Sequence, residues 1–450
     1  MEEPQLRQRY STRVPSQADA PVTHLESTFP AFVPPSYTIK ELLGVIPPHC
    51  FDRSALRSSL YVLGDLVLMI TLGLGIAFFD HKLSFEHQMY KWIGWSTYWI
   101  VQSWVMTGIW VLGHECGHQA FSTSKTVNNA VGIVLHSFLL VPYHSWRISH
   151  ARHHAATGHM DRDQVFVPRL LSQRRPDEQK QNDEKRTHFR DGVELEELLE
   201  DAPLYKLVTL VGQQLLGWPL YLIMNASGQK SYPAWTNHFN PSSIIFDRRH
   251  RISVLMSDIA LIITLVLMTL FTNVFWNGSL TEFIKYYGIP YLLVNHWLVM
   301  ITFLQHTDSR LPHYRQPEWT FVRGALCTID RQFLGPVGTW LLHGIAETHT
   351  LHHVCSKIPH YHADEATVAL STYLSKTGQY HWTNENVFRS LWRSYSECRF
   401  VDIQGDIVMY RDAFGRCRRA IDLSRSGVCS DSGVDLKIPQ EMLEEEDEEE

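Results

Sequence analysis

Four apolar runs constrain this chain more than any other feature of its sequence. Residues 59–79, 93–112, 252–276 and 286–304 each offer about 20 mostly apolar positions, enough for a helix to cross a hydrocarbon core ~30 Å thick. Two further stretches fall short of that test. Residues 130–141 are too few to cross, and residues 207–224 are interrupted by Gly212, Gln213, Gln214, Gly217 and Pro219. Both are expected to be re-entrant or interfacial pieces. The expected fold class is an all-α integral membrane protein, with about four transmembrane helices, interfacial helices and a cytosolic helical cap.

Positive charge orients the spans. Arg53 and Arg57 precede the first, Arg248, Arg249 and Arg251 precede the third, and Arg310 and Arg315 follow the fourth. The opposite loops carry only Lys82, Lys91 and Lys285. Both termini are therefore expected in the cytosol. The sequon at Asn277 would then be luminal but close to the bilayer, and the one at Asn225 cytosolic and silent. Asp65 and Asp258 fall inside spans, where a charge costs roughly 2.5–3.5 kcal/mol or more, so each is expected near a helix end or beside a polar partner.

The formal net charge of −7 is misleading as an average, because seven acidic residues occupy 444–450. The remainder is close to neutral and has no basic field suited to nucleic acid. Seven cysteines are scattered and never form CxxC, which argues against a disulfide framework or a thiolate zinc site and fits a reducing compartment. No apolar segment of signal-peptide type follows the start, so targeting is assigned to the first span. The expected organisation is an N-terminal cytosolic arm at 1–54, a membrane-embedded domain at 55–400 with a polar insert at 168–203, and a cytosolic segment at 401–450 ending in the acidic tail.

Histidine supplies the chemistry. Of 25 histidines, eight fall in three tight groups: His114 and His118; His150, His153 and His154; His349, His352 and His353. Residues three and four apart share a helix face, so each group can aim its rings at one place. Neutral imidazole is a good ligand for iron, copper, zinc or nickel. Eight nitrogens exceed one ordinary site, and two metals is the natural count. All three groups reach the cytosolic side if neither weak segment crosses. His306, at the end of the fourth span, is the candidate ninth ligand. His136, His144, His159, His313, His343, His360 and His362 are expected to be ordinary hydrogen-bonding residues or partners of ligands. Asp161, Asp163, Asp308 and Glu347 are the nearby carboxylates that could accept from a ligand imidazole.

Two rival readings start from the same residues. His114-Glu115-Cys116-Gly117-His118 satisfies H-E-x-x-H, the signature of zinc metalloproteases, but this leaves two HxxHH groups unused. A haem-binding electron carrier would place its ligands across a bundle, not in triplets.

The motifs resemble those of membrane fatty acid desaturases, of the microsomal oleate Δ12 and related ω3 group, with a fungal character. The matching stretches are Gly113 to His118; Val141-Pro142-Tyr143-His144-Ser145-Trp146-Arg147 leading into His150 to His154; and Thr157-Gly158-His159-Met160. They continue with Gln305-His306-Thr307-Asp308, Leu311-Pro312-His313-Tyr314, and Glu347-Thr348-His349 running on to Ile358-Pro359-His360-Tyr361. The resemblance covers roughly residues 40–410. It implies two iron ions held by the eight box histidines and His306, with O2 as co-substrate. Glu115, Asp308 and Glu347, the carboxylates within the motifs, become candidate catalytic residues. It also implies acyl chains of membrane phospholipids as substrate, with oleoyl converted to linoleoyl. Electrons would come from cytochrome b5 and NADH-cytochrome b5 reductase, at the cytosolic face of the endoplasmic reticulum. An ω3 (Δ15) or bifunctional Δ12/ω3 desaturase, or a hydroxylase, shares the same boxes. The sequence is silent on oligomeric state, and a homo-oligomer stays open.

Overall fold

A computed structural model of the protein describes residues 28–83, 87–170 and 202–425. The acidic tail, most of the polar insert and the start of the N-terminal arm lie outside these residues. Helix α1 (Ile39–Gly44) begins with a capping box in which Thr38 and Glu41 each satisfy the other's backbone N–H. Helix α2 (Ala55–Lys82) starts on the side-chain cap of Ser54. Nearly all of α2 faces outward: Leu56, Leu60, Leu63, Val67, Ile70, Leu74 and Phe78 are all exposed. Such a surface is stable only against lipid or another apolar partner. Helix α3 (Gln88–Gly117) packs along α2 and is the opposite case, buried over most of its C-terminal half.

Helices α4 (Lys125–Phe138) and α5 (Tyr143–Ala156) follow, bent by 106° at a break that opens with Leu140 in the left-handed region and closes on Pro142. Together they form a sharply bent pair, and the 14-residue α4 is by itself too short to cross a membrane, as expected of residues 130–141. Gly132 lets the pair close, because a Cβ there would overlap the ring of the fully buried Tyr143. Gly113 does the same for α3 against α4, where the ring of His136 fills the space of the missing side chain.

The stretch at 207–224 departs from expectation. It belongs to an unbroken 22-residue helix, α6 (Pro203–Met224), long and apolar enough to cross a membrane. Its polar residues do not interrupt it because they face inward: Gln214 is buried, while Leu204, Val208, Leu216 and Ile223 are exposed. It nevertheless makes polar contacts at two points, the second of them to the histidine-bearing α5. Thr209 meets the Tyr395 hydroxyl at 2.8 Å, and the Tyr221 hydroxyl donates to Ser149, next to His150.

Helix α7 (Arg251–Trp276) leads through the turn at 277–279 into a helix that begins at Leu280, passes a π-helical turn at Ile284–Gly288 and continues as α8 (Ile289–His306). By length and apolarity, four described stretches could cross a membrane: Ala55–Lys82, Pro203–Met224, Arg248–Trp276 and Leu280–His306. The expected span at 93–112 lies within α3, which at 30 residues is longer than any of these but does not reach their apolarity. Trp, Tyr, Gly, Ser and Gln make up much of it; Trp95, Tyr98, Gln102, Ser103 and Trp110 pack inward, while Tyr90 and Trp92 near its start face outward.

Beyond α8 the chain folds into a small cap. β1 (Pro312–Tyr314) pairs antiparallel with β4 (Ile407–Met409), Pro312 opposite Met409, and β2 (Asp330–Arg331) runs parallel to β3 (Trp382–Thr383). The cap also contains α9 (His349–Val354), α10 (His360–Ser375) and α11 (Val387–Glu397). A fully buried arginine ties it to the helices. The Arg331 guanidinium donates to the Leu304 carbonyl at the end of α8, at 2.8 Å, and to Asp308 Oδ2 at 2.6 Å. A buried charge of this kind is tolerated only when its donors are satisfied. Asp65, inside α2, is likewise partnered: His343 of the cap lies 2.8 Å from its Oδ2.

Candidate metal centre

Three helix ends and one helix middle converge where α3, α5, α8 and the cap meet. His114 lies in the last turn of α3 and His118 caps it; His306 is the last residue of α8. His150, His153 and His154 share one face of α5, and His349, His352 and His353 make up half of the six-residue α9. All eight histidines picked out by spacing, and His306 with them, come together.

They fall into two groups. The nitrogens of His114, His118, His150, His154 and His352 lie within 4.8 Å of one another, and so do those of His153, His306 and His353. His349 completes the second group, its Nε2 3.1 Å from the Nε2 of both His306 and His353. In the first, His150 Nε2 is 3.0 Å from His114 Nε2 and 3.2 Å from His154 Nε2. The groups adjoin through the stacked rings of His154 and His353, with centroids 4.1 Å apart.

The donor set fits metal binding. Burial holds His349, His352 and His353 well below the usual imidazole pKa, so they are neutral and offer lone pairs. His118 Nε2 and His352 Nε2 are buried without a hydrogen-bonding partner. Buried polar atoms are normally satisfied, and a cation between these rings would satisfy them all.

Hydrogen bonds on the far side of two rings fix their orientation. His153 donates from Nδ1 to Asp163 Oδ1 at 2.6 Å, and Asp163 also accepts from the Gly158 backbone at 2.8 Å. Thr157 donates to the His153 carbonyl, leaving its oxygen to accept from His353 Nδ1 at 3.2 Å. Each bond leaves Nε2 as the free donor atom pointing inward. Asp163 was among the carboxylates nominated from sequence, and Thr157 was not.

The three candidate catalytic carboxylates have partners of their own. Glu115 accepts from the backbone N–H and Nδ1 of His360, the latter at 2.7 Å. Asp308 is held by Arg310 and Arg331; burial alone would raise its pKa, but these two guanidinium groups hold it well below the usual carboxylate range. Glu347 accepts from Phe333 N and Thr339 Oγ1 at 2.9 and 3.0 Å, and burial pushes its pKa up. Asp161 uses its backbone N–H to donate to His159. With Glu115 turned to His360, and His114 and His118 joined by three more histidines, the zinc-protease arrangement is not the one formed.

A cavity of about 500 Å³ opens beside the histidines. Trp110, Gly217, Trp218 and Val299 contribute to an apolar wall, and His114, His150, His153, His306 and His349 reach its surface. Arg169, Lys230 and Arg399 also line it. Its size is within the ~300–1,000 Å³ of small-ligand sites.

A mostly helical protein with candidate membrane spans and a histidine-rich metal site is the class that fold and site define. Comparison with known proteins narrows it. The fatty acid desaturase family model matches residues 91–385. A Delta(12) fatty acid desaturase of Mortierella isabellina is 48% identical over 384 residues, covering 84% of this chain and 91% of its own. That of Mortierella alpina matches with the same identity and coverage. An oleate hydroxylase of Claviceps purpurea is 40% identical over 398 residues, 84% of this chain and 80% of its own. The chain belongs to the fatty acid desaturase family, a family of oxidoreductases.

Proposed function

We propose that this enzyme is an acyl-lipid Δ12 desaturase that converts oleoyl chains of membrane phospholipids to linoleoyl at the cytosolic face of the endoplasmic reticulum. The observation that carries the reading is the cavity: an apolar slot whose wall is completed by histidines from both groups. The names of the two Mortierella relatives support the regiochemistry.

His114, His118, His150, His154 and His352 would hold one iron, and His153, His306, His349 and His353 the other. Bound there, the pair supplies the oxidising power, drawn from O2, to remove two hydrogens from an unactivated methylene pair. The protein's own contribution is position and dryness. Trp110, Trp218 and Val299 grip the acyl chain and exclude water. Asp163 and Thr157 lock ligand rings in the tautomer that presents Nε2. Glu115 and His360 brace the end of α3, Asp308 anchors the cap through Arg331, and Glu347 holds the loop before α9. Arg169 and Lys230, exposed at the cavity's opening, suit the phosphate of a lipid headgroup. Electrons would arrive from cytochrome b5 and its NADH-dependent reductase. The domain limits are proposed as read from the sequence, with the membrane-embedded domain at 55–400.

A second reading is favoured by one observation, the match to an oleate hydroxylase. Expression in a yeast lacking polyunsaturated fatty acids, followed by gas chromatography of total lipid, decides between them. New linoleate is the expected product. A hydroxylated acid, or α-linolenate formed only from supplied linoleate, would replace the Δ12 assignment.

A further inference from the structure

A second group of metal-type donors lies away from the nine histidines. The 3-10 turn Pro48–Phe51, just ahead of α2, packs against the start of α10. Where they touch, His49, Cys50, His362 and Glu365 bring their ligand atoms within 4.8 Å of one another. His49 Nε2 lies 2.9 Å from Glu365 Oε2 and 3.8 Å from Cys50 Sγ. Its ring meets that of His362 edge-on, with centroids 5.8 Å apart. His362 and Glu365 are three residues apart on one helix face, and His49 and Cys50 are neighbours on the turn.

We infer that these four side chains form a separate structural site for a zinc-type divalent cation, clamping the N-terminal arm to the helix that follows the third histidine group. One thiolate, two imidazoles and a carboxylate are a borderline-soft, four-donor set suited to tetrahedral coordination. With the bond lengths usual for zinc, such donors sit about 3.3–3.7 Å apart, so the group needs to close by roughly 1 Å. Access is built in. Cys50 is buried in a cluster with Leu42, Val354 and Ile358, but His49 and Glu365 are exposed, so an ion can enter from solvent.

The charge balance is consistent. Burial and the nearby Glu365 carboxylate keep the Cys50 thiol protonated in the free protein. Cation entry forms the sulfur–metal bond and releases that proton to solvent, with no change of oxidation state. Asp52 and Glu365 both lie close enough to act on His362, which favours a cation; Arg57 opposes it but is occupied over the Tyr361 ring at 4.1 Å. The placement gives the clamp a purpose. Helix α10 opens with His360, whose ring holds Glu115 beside His114. An ion at the clamp would fix the cap against the start of α2 without touching the cavity.

The test measures zinc and iron separately in the purified full-length protein, then titrates the zinc-stripped protein with Co2+. About one equivalent of zinc beyond the iron is expected, with a thiolate-to-cobalt charge-transfer band on titration. Cys50→Ser should abolish the band and the zinc while leaving iron unchanged. Because Cys50 is buried, Glu365→Gln on the exposed side is read in parallel with thermal melting, and should weaken Co2+ binding ~10-fold or more. Absence of both zinc and cobalt band in the folded protein would overturn the proposal. So would Co2+ binding left unchanged by Glu365→Gln. Iron content reports on the histidine centre independently.

Discussion

Imidazole nitrogens that face one another at 3.0–3.4 Å can share only one proton per pair, and where the far nitrogen already carries the N–H, as on His153, the inward lone pair needs a proton or a cation to face. That requirement makes the residues behind the histidines as important as the histidines themselves. Asp163→Asn should reduce activity or iron affinity ~10–100-fold while the protein still folds, because the amide can present the wrong group to His153 Nδ1. Turnover and iron content of the purified variant check this. Asp330 offers a separate test. It accepts from Thr350 N and the Tyr380 hydroxyl, both at 2.7 Å, yet burial outweighs these bonds and pushes its pKa up to about 7. A folded-state pKa above the unfolded value of ~3.9 means the folded protein binds the extra proton. Its contribution is therefore full at low pH and lost as pH rises toward about 7. Asp330→Asn should flatten the fall in melting temperature between about pH 4 and 7; an unchanged slope would contradict it. Eight of the nine clustered histidines were legible from their short, regular spacing and His306 from its place at the end of a span, while Asp163 was one of four nearby carboxylates. The Glu115–His360 pair was not, since 245 residues separate its members. Nothing local in either segment announces such a contact.

At the scale of elements, the centre depends on helices that approach unusually closely. α3 and α4 meet through Gly113 against His136, and α4 folds onto α5 through Gly132 against Tyr143. Gly132→Ala should cost about 1–3 kcal/mol by overpacking, seen as a lower melting temperature, with the Tyr143 ring displaced. A melting temperature equal to the parent's would show that the two helices have slack. Helix existence was largely legible, because apolar runs of span length leave few alternatives. α6 was the exception. Gly212, Gln213, Gln214, Gly217 and Pro219 read as interruptions when counted along the chain, yet Gln214 is buried, Gly217 packs on Val299, and Gln213 and Gly217 line the cavity. Mean composition hides which side of a helix carries the polar groups. The same effect disguised α3, whose inward-facing Trp95, Tyr98 and Gln102 lower its apolarity though it is the longest helix among the described residues.

The whole molecule is a bundle with an outer apolar surface, closed at one end by a cap that supplies three of the nine histidines. Arg331 and the Asp65–His343 pair tie the cap to the helices, so the centre's geometry and the cap's docking are one problem. The acidic tail lies outside the described residues. Deleting residues 441–450 should leave specific activity within about twofold of the full chain, because an acidic run is ordinarily a solvated segment. A large loss in correctly inserted, truncated protein would give the tail a role.

Metal analysis of the purified enzyme reaches the core of the account most directly. About two irons per chain are expected, with each of His118→Ala and His353→Ala, one from each group, losing iron together with activity. Iron retained in full by both variants, or a parent protein that carries no iron, would contradict it.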